Sequence, residues 1–279
     1  SEILAEKESL TPENANTEGL LNLFRIGTSA GGMRPKILVA KHRKTQQILP
    51  GDLLYGPHHD YFLVKLNLEN DPLHPKETIE FIYANIAQQL GIEMMPCELW
   101  EEKHFATHRF DRQNNQKQHV LTAAGLTGWD YQNPEESSYE NLFKLAMALK
   151  IPLGELQQLF RRMVFNVVFN NIDDHLKNHS FCYRPETDSW HLSPAYDLTY
   201  ALNPKLKFHK VSRALSISGK REQINKNDLL KIADMFSIEH AEQTIQDIQE
   251  GRSLWSDLAY QNHLLPTLIA TIQQHMVEL

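Results

Sequence analysis

Between residues 60 and 68 the chain reads Asp-Tyr-Phe-Leu-Val-Lys-Leu-Asn-Leu. That near-alternation of apolar and polar positions predicts a strand. The period then changes. Ile79, Ile82, Tyr83, Ile86 and Leu90 recur at helical spacing, and Gly91 follows where a helix over 76–90 would stop. Stretches at 98–101 and 105–111 predict two further strands joined at Glu102-Lys103, and Leu20 to Val39 predicts strand, Gly-rich turn, strand. Past about residue 113 the helical period dominates. Helices are predicted over 138–150 and 153–172. In the second, Leu156, Leu159, Phe160, Met163, Val167 and Val168 make an apolar face broad enough to predict burial. Phe181-Cys182-Tyr183 and Trp190-His191-Leu192 predict a hairpin around Pro185 to Ser189, and 227–279 predicts mostly helix. The outline is a polar arm (1–18), a β-rich lobe (19–112) and a larger helical lobe (113–279): an α+β chain in two lobes.

Composition narrows the function classes. At 279 residues, 41% hydrophobic and 23% charged, the chain has the make-up of a globular protein. No apolar run reaches the ~20 residues needed to cross a bilayer, and residues 1–18 contain no secretory core, so a cytoplasmic protein without membrane contact is expected. Cys97 and Cys182 are the only cysteines, which implies no disulfide framework. A net charge of −7 argues against a large DNA-binding face. The basic patch Lys41-His42-Arg43-Lys44 reads as a solvated turn between strands.

The candidate chemistry lies in the run Asn171-Ile172-Asp173-Asp174-His175-Leu176-Lys177-Asn178, with Asp197 nineteen residues beyond Asn178. A phosphoryl transferase needs a carboxylate for the attacking hydroxyl. It also needs an amide and a second carboxylate for magnesium, and a lysine against developing charge. Protein kinases arrange these as D-x-x-x-x-N and a later Asp, and Asp173 to Asn178 has that spacing. The competing readings are a helix end decorated with polar caps, and a metal pair from His175 and His179, which lacks the intervening Glu of a metallohydrolase motif. Gly27-Thr28-Ser29-Ala30-Gly31-Gly32, followed by Arg34 and Lys36, is either a phosphate cradle or a plain hairpin turn. Lys65, with Glu80 as its candidate ion-pair partner, points either at a nucleotide or at solvent. His108-Arg109-Phe110-Asp111-Arg112 is either a nucleotide-contacting hinge or a structural charge cluster.

Together these motifs resemble the HipA family of bacterial toxin kinases. G-G-M-R-P-K at Gly31 to Lys36 resembles the family's Gly-rich loop, and R-F-D-R at Arg109 to Arg112 its hinge. D-D-H-L-K-N at Asp173 to Asn178 resembles its D-x-H-x-K-N run, A-Y-D-L at Ala195 to Leu198 its metal-binding step, and S-I-S-G-K-R at Ser216 to Arg221 a further signature. The resemblance implies a two-lobed protein-kinase-like fold, ATP and Mg²⁺ as cofactors, and a protein serine or threonine as acceptor. It makes Asp173 the catalytic base with Lys177 beside it, and Asn178 and Asp197 the magnesium ligands. Lys65 with Glu80, Gly31, Gly32 and His175 would bind the nucleotide. His108 and Phe110 would meet adenine through their backbones, with Asp111 near ribose. His108 departs from the Glu usual before R-F-D-R.

The short stretch before the Gly-rich loop resembles HipT, the kinase of three-part HipBST systems. That likeness implies a HipS-like small protein supplying a missing subdomain and a HipB-like helix-turn-helix antitoxin through which alone DNA is contacted. It also implies inhibitory autophosphorylation at Thr28 or Ser29, and growth arrest through a translation-related substrate such as an aminoacyl-tRNA synthetase. The alternatives are a nucleotide-binding pseudokinase in a repressor complex and a small-molecule or lipid kinase.

Overall fold

Alternating apolar residues make the first unit a sheet. The computed structural model describes Gly19 and residues 35–69, 71, 73–113, 116–130, 133, 135–201 and 212–279. Thr28, Ser29, Gly31 and Gly32, the arm 1–18 and the first strand predicted after Leu20 lie outside the described residues. The chain divides into two units, Ser1–Asp71 with Met95–Gln118, and Pro72–Met94 with His119–Leu279.

In the first unit, β1 (Lys36–His42), β2 (Ile48–Pro50), β3 (His59–Lys65), β4 (Cys97–Trp100) and β5 (His104–His108) form an antiparallel sheet in the order β2-β1-β3-β5-β4. A short ribbon, β6 (Arg112–Gln113) and β7 (Gln116–Lys117), follows. Period-2 patterning turns Ile37, Val39, Phe62, Val64 and Ala106 into one buried cluster. Gly51 is required where β2 ends: a Cβ there would lie 2.4 Å from the Val39 backbone nitrogen. Of the basic patch expected as a turn, Lys41 and His42 belong to β1, and only Arg43 and Lys44 form the exposed turn, with Arg43 2.8 Å from Asp60.

His104 is fully buried, and its Nδ1 accepts from Asn67 N–H at 3.0 Å. Burial pulls the ring down to about 4 from its ordinary 6.5. Below pH 6.5 the unfolded chain binds a proton that the folded chain refuses. His104 therefore stabilises the fold fully above that pH and progressively less down to about 4. We expect about 2 kcal/mol of stability to disappear between pH 7 and 5. His104→Gln, which keeps an acceptor but cannot titrate, should flatten that dependence in urea unfolding at the two pH values. Equal slopes in both proteins would exclude His104 as the source.

The second unit contains α1 (Lys76–Gln89), β8 (His119–Thr122), α2 (Ala123–Thr127), α3 (Tyr139–Ala148), α4 (Leu153–Val168), β9 (Ser180–Arg184), β10 (Ser189–Leu192), α5 (Lys226–Met235), α6 (Ala241–Glu250), α7 (Leu254–Gln261) and α8 (Pro266–His275). The hairpin β9–β10 gains β8 as a third strand, pairing Leu121 with Phe181, an element the sequence reading did not anticipate. Its four residues are too few to show a period.

Helix α1, read from the sequence as part of the β-rich lobe, groups with the helices. Tyr83 packs edge-on against Phe165, Phe169 and Trp255, and its hydroxyl donates to the Phe169 carbonyl at 2.8 Å. Helix α4 also ends four residues earlier than predicted. Asn170 enters the left-handed region at φ 53°, a conformation that ends helices and that Asn tolerates.

Candidate active site

The catalytic run is held at both ends. Asn170 turns the chain out of α4, and fully buried Leu176 plugs the following 3-10 turn, Leu176–Asn178, into the core of the second unit. Within the turn, Asn178 N–H donates to the His175 carbonyl at 2.8 Å, and Asn178 Nδ2 donates to the Asp173 carbonyl at 2.9 Å. With its nitrogen spent in this way, the amide offers its oxygen, the only amide atom able to ligate a cation. Asp197 comes from the far side of the hairpin. Ala195 N–H donates to the Glu93 carbonyl at 2.8 Å and so fixes the preceding step. Asp197 itself sits at φ 56°, strained for most residues but accessible to Asp and Asn.

Asn178 and Asp197 line one crevice together with Arg162, Asn171, His179 and Tyr196. Asp173 stands apart from that lining, its carboxylate 69% exposed and 3.8 Å from His175 Nε2. Lys177 is exposed, and its carbonyl accepts from Tyr196 Oη at 2.8 Å. Among the described residues no group of three or more His, Cys, Asp or Glu is placed to hold a metal ion. One amide oxygen and one carboxylate suit Mg²⁺, a hard cation that completes its shell with phosphate oxygens and water. His179 is buried, lies edge-on to Tyr139 at 5.8 Å, and is pulled by burial down to about 3. That is a structural histidine's environment.

The residues missed from the sequence lie directly beneath. Asp174 is buried and accepts from Tyr139 Oη at 2.8 Å, Arg213 Nη1 at 2.7 Å and Leu215 N–H at 3.3 Å. Burial pushes its pKa up, and Arg213 offsets only part of that. Asn166 Nδ2 donates to Tyr139 Oη at 2.9 Å, and Asn171 Nδ2 donates to Asn166 Oδ1 at 3.0 Å. Ala214 N–H donates to the Ile172 carbonyl at 2.8 Å. Arg221, at the end of the S-I-S-G-K-R signature, donates to the Ala214 carbonyl at 2.7 Å. The signature thus braces the strip that braces the catalytic run. One signal was present in the sequence: Arg162 and Asn166, four residues apart, interrupt the apolar face of α4.

In the first unit Lys65 is 8% exposed, its Nζ 5.9 Å from the Phe105 ring, which rules out a solvent-facing strand lysine. It pairs in register with Lys36, the last residue of the Gly-rich motif. His108 N–H is spent on the Pro96 carbonyl at 3.0 Å, so backbone recognition at His108 has only its carbonyl to offer. Its ring lies 4.2 Å from that of Phe62. Arg109 takes both Asp111 carboxylate oxygens, with Nε at 2.8 Å from Oδ1. The Arg109–Asp111 ion pair fits both readings of R-F-D-R, and Phe110 lies between its members. In the second unit Glu80 is 2% exposed and is no helix-surface glutamate.

A profile of the HipA-like C-terminal domain family matches residues 28–255. Y4dM of Sinorhizobium fredii, whose name proposes it as a kinase, is 23% identical over 198 residues, covering 63% of this chain and 47% of that protein. The chain thus spans about half the length of this curated relative. Among solved structures, the complex of the Shewanella oneidensis MR-1 toxin–antitoxin proteins HipA and HipB with operator DNA contains a similar chain. The TM-score is 0.65 at 19% identity, over 88% of this chain and 62% of that one. The Helicobacter pylori proinflammatory kinase CtkA matches with TM-score 0.54 at 12% identity, over 89% and 90% of the two chains. These likenesses show an α+β fold of the kinase-like kind.

Proposed function

Because this chain belongs to the HipA-like C-terminal domain family, we propose that it is a protein kinase transferring the γ-phosphate of ATP to a serine or threonine hydroxyl. One observation carries the reading: Asn178 and Asp197 line the same crevice at the end of the run that presents Asp173. Asp173 takes the proton of the attacking hydroxyl as its oxygen bonds to phosphorus and the bond to the ADP oxygen breaks. Lys177 offsets charge on the moving group. Asn178 and Asp197 would hold Mg²⁺, which when bound neutralises the phosphate oxygens. Lys65, with Glu80, Gly31, Gly32 and His175, belongs to the nucleotide site. Phe110 and the His108 carbonyl meet adenine, with Asp111 near ribose.

The same reading gives the chain a toxin's place in the cytoplasm. It would be held by a HipB-like antitoxin that contacts DNA and by a HipS-like small protein, and it would be silenced by phosphorylation of Thr28 or Ser29. A phosphate there adds about −1.5 to −2 charge beside the donors meant for ATP. Incubation of the protein with labelled ATP and Mg²⁺ tests the reading. Label should appear on the protein itself, and peptide mass spectra should place it at Thr28 or Ser29. Absence of transfer to this chain and to every protein of a cell extract would refute it.

Lys65→Ala should weaken ATP binding roughly tenfold to a hundredfold, the worth of a charge-assisted contact. The measurement is the rise in melting temperature on adding ATP. An equal rise in both proteins would remove Lys65 from the site.

A further inference from the structure

At the crevice, four buried polar groups have no hydrogen-bond partner among the described residues. They are Arg162 Nε and Nη2, Asn171 Oδ1 and His179 Nε2, and all three residues line the same crevice. Arg162 is 3% exposed, Asn171 2% and His179 4%. Such groups are rare in native proteins, because each gives up its hydration for nothing. Their chemistry specifies the missing partner. The two arginine groups can only donate. Asn171 Nδ2 already donates to Asn166 Oδ1, which fixes Oδ1 as an acceptor. A neutral imidazole with its proton on Nδ1 offers Nε2 as an acceptor. Two donors and two acceptors match one small neutral molecule that accepts twice and donates twice. An anion would satisfy the arginine and be repelled by the two acceptors. A cation seated on these four groups would meet the two guanidinium donors. The cavity volume is about 10 Å³, close to the space that one water needs.

We propose that Arg162, Asn171 and His179 bind a single buried water molecule, and that through it Arg162 is a positioning residue for the Asn178–Asp197 pair. The connections run to both sides. His179 follows Asn178 directly, and Asn171 Nδ2 reaches the Asp197 carbonyl at 3.5 Å. One water held by all three side chains ties the end of α4, the catalytic run and the Asp197 step to one another. Residues that orient metal ligands in this indirect way are worth about 10–100-fold in metal affinity. The positioning role rests on the kinase reading, whereas the water site does not.

Two measurements test this. A high-resolution crystal structure of the wild-type protein, grown with and without bromide, should show one water about 2.7–3.2 Å from Arg162 and from Asn171 Oδ1 or His179 Nε2. It should show no anomalous bromide peak there. A bromide peak, a dry site, or Arg162 swung onto a carboxylate overturns the site. Arg162→Met then removes the donors while keeping the volume. Mn²⁺ affinity in the presence of ADP, read by electron paramagnetic resonance, should fall about tenfold, with Arg162→Lys recovering part of it. Unchanged affinity in a folded Arg162→Met protein overturns the positioning role. If Arg162→Met does not fold, the wild-type crystal still decides the site. If the wild type binds no ADP at all, the kinase reading fails while the water is judged on the crystal alone.

Discussion

Asp197→Asn should leave the fold intact and lower phosphoryl transfer roughly a thousandfold, the scale of removing one electrostatic stabiliser from a transition state. Asparagine is the informative replacement because Asp197 sits at φ 56°, where Asn is tolerated and Ala would add backbone strain. The substitution therefore removes charge and little else. Asp173→Ala is the useful comparison. Its carboxylate is exposed and outside the crevice lining, so the loss there should be about 10²–10⁴-fold, the worth of a positioned base, with metal-dependent nucleotide binding preserved. Asp197→Asn should lose both. Label transfer and Mn²⁺-dependent ADP binding, measured side by side with circular dichroism spectra, separate the two roles. Normal turnover by a folded Asp197→Asn protein would end the assignment of Asp197 as a metal ligand.

Asp174→Ala should cost about 3–5 kcal/mol of stability, the penalty for leaving a buried ionic partner uncompensated. Arg213 is 4% exposed and its Nη1 lies 2.7 Å from Asp174 Oδ2. Deleting Asp174 would strand that guanidinium together with Tyr139 Oη and Leu215 N–H. Replacing both partners, Asp174→Leu with Arg213→Met, should cost much less than the sum of the single changes, since no unpaired charge remains. Urea unfolding of the four proteins gives the coupling. Additive losses would mean that the pair is not a unit. The effect should extend to activity, because the strip following Arg213 holds the Ile172 carbonyl and hence the catalytic run.

The elements with a long, consistent period were legible in the sequence. The alternation through Tyr61 and Phe62 became β3, and the stripes from Ile79 to Ile86 and from Leu156 to Val168 became α1 and α4. Local backbone preference and one buried face suffice for these, and both are written in neighbouring residues. Of the local chemistry that spacing and residue type named, Asn178 and Asp197 line one crevice, whereas Asp173 stands outside its lining.

What spacing does not encode is which side chains meet across the chain. The sequence offers Asp173 and Asp174 side by side with nothing to separate them. The tertiary structure makes one an exposed carboxylate and the other a buried anchor paired with an arginine 39 positions away. The same holds for Lys65, buried although its strand pattern allowed solvent, and for α1, drawn to the helices by Tyr83's contacts with Phe165, Phe169 and Trp255. It holds again for Arg162, Asn171 and His179, which carry unmatched donors and acceptors and line one cavity. Residue type and period are properties of a short stretch and determine its conformation. Burial and hydrogen-bond complement belong to the packed molecule, because only packing removes the water that would otherwise satisfy every polar group alike.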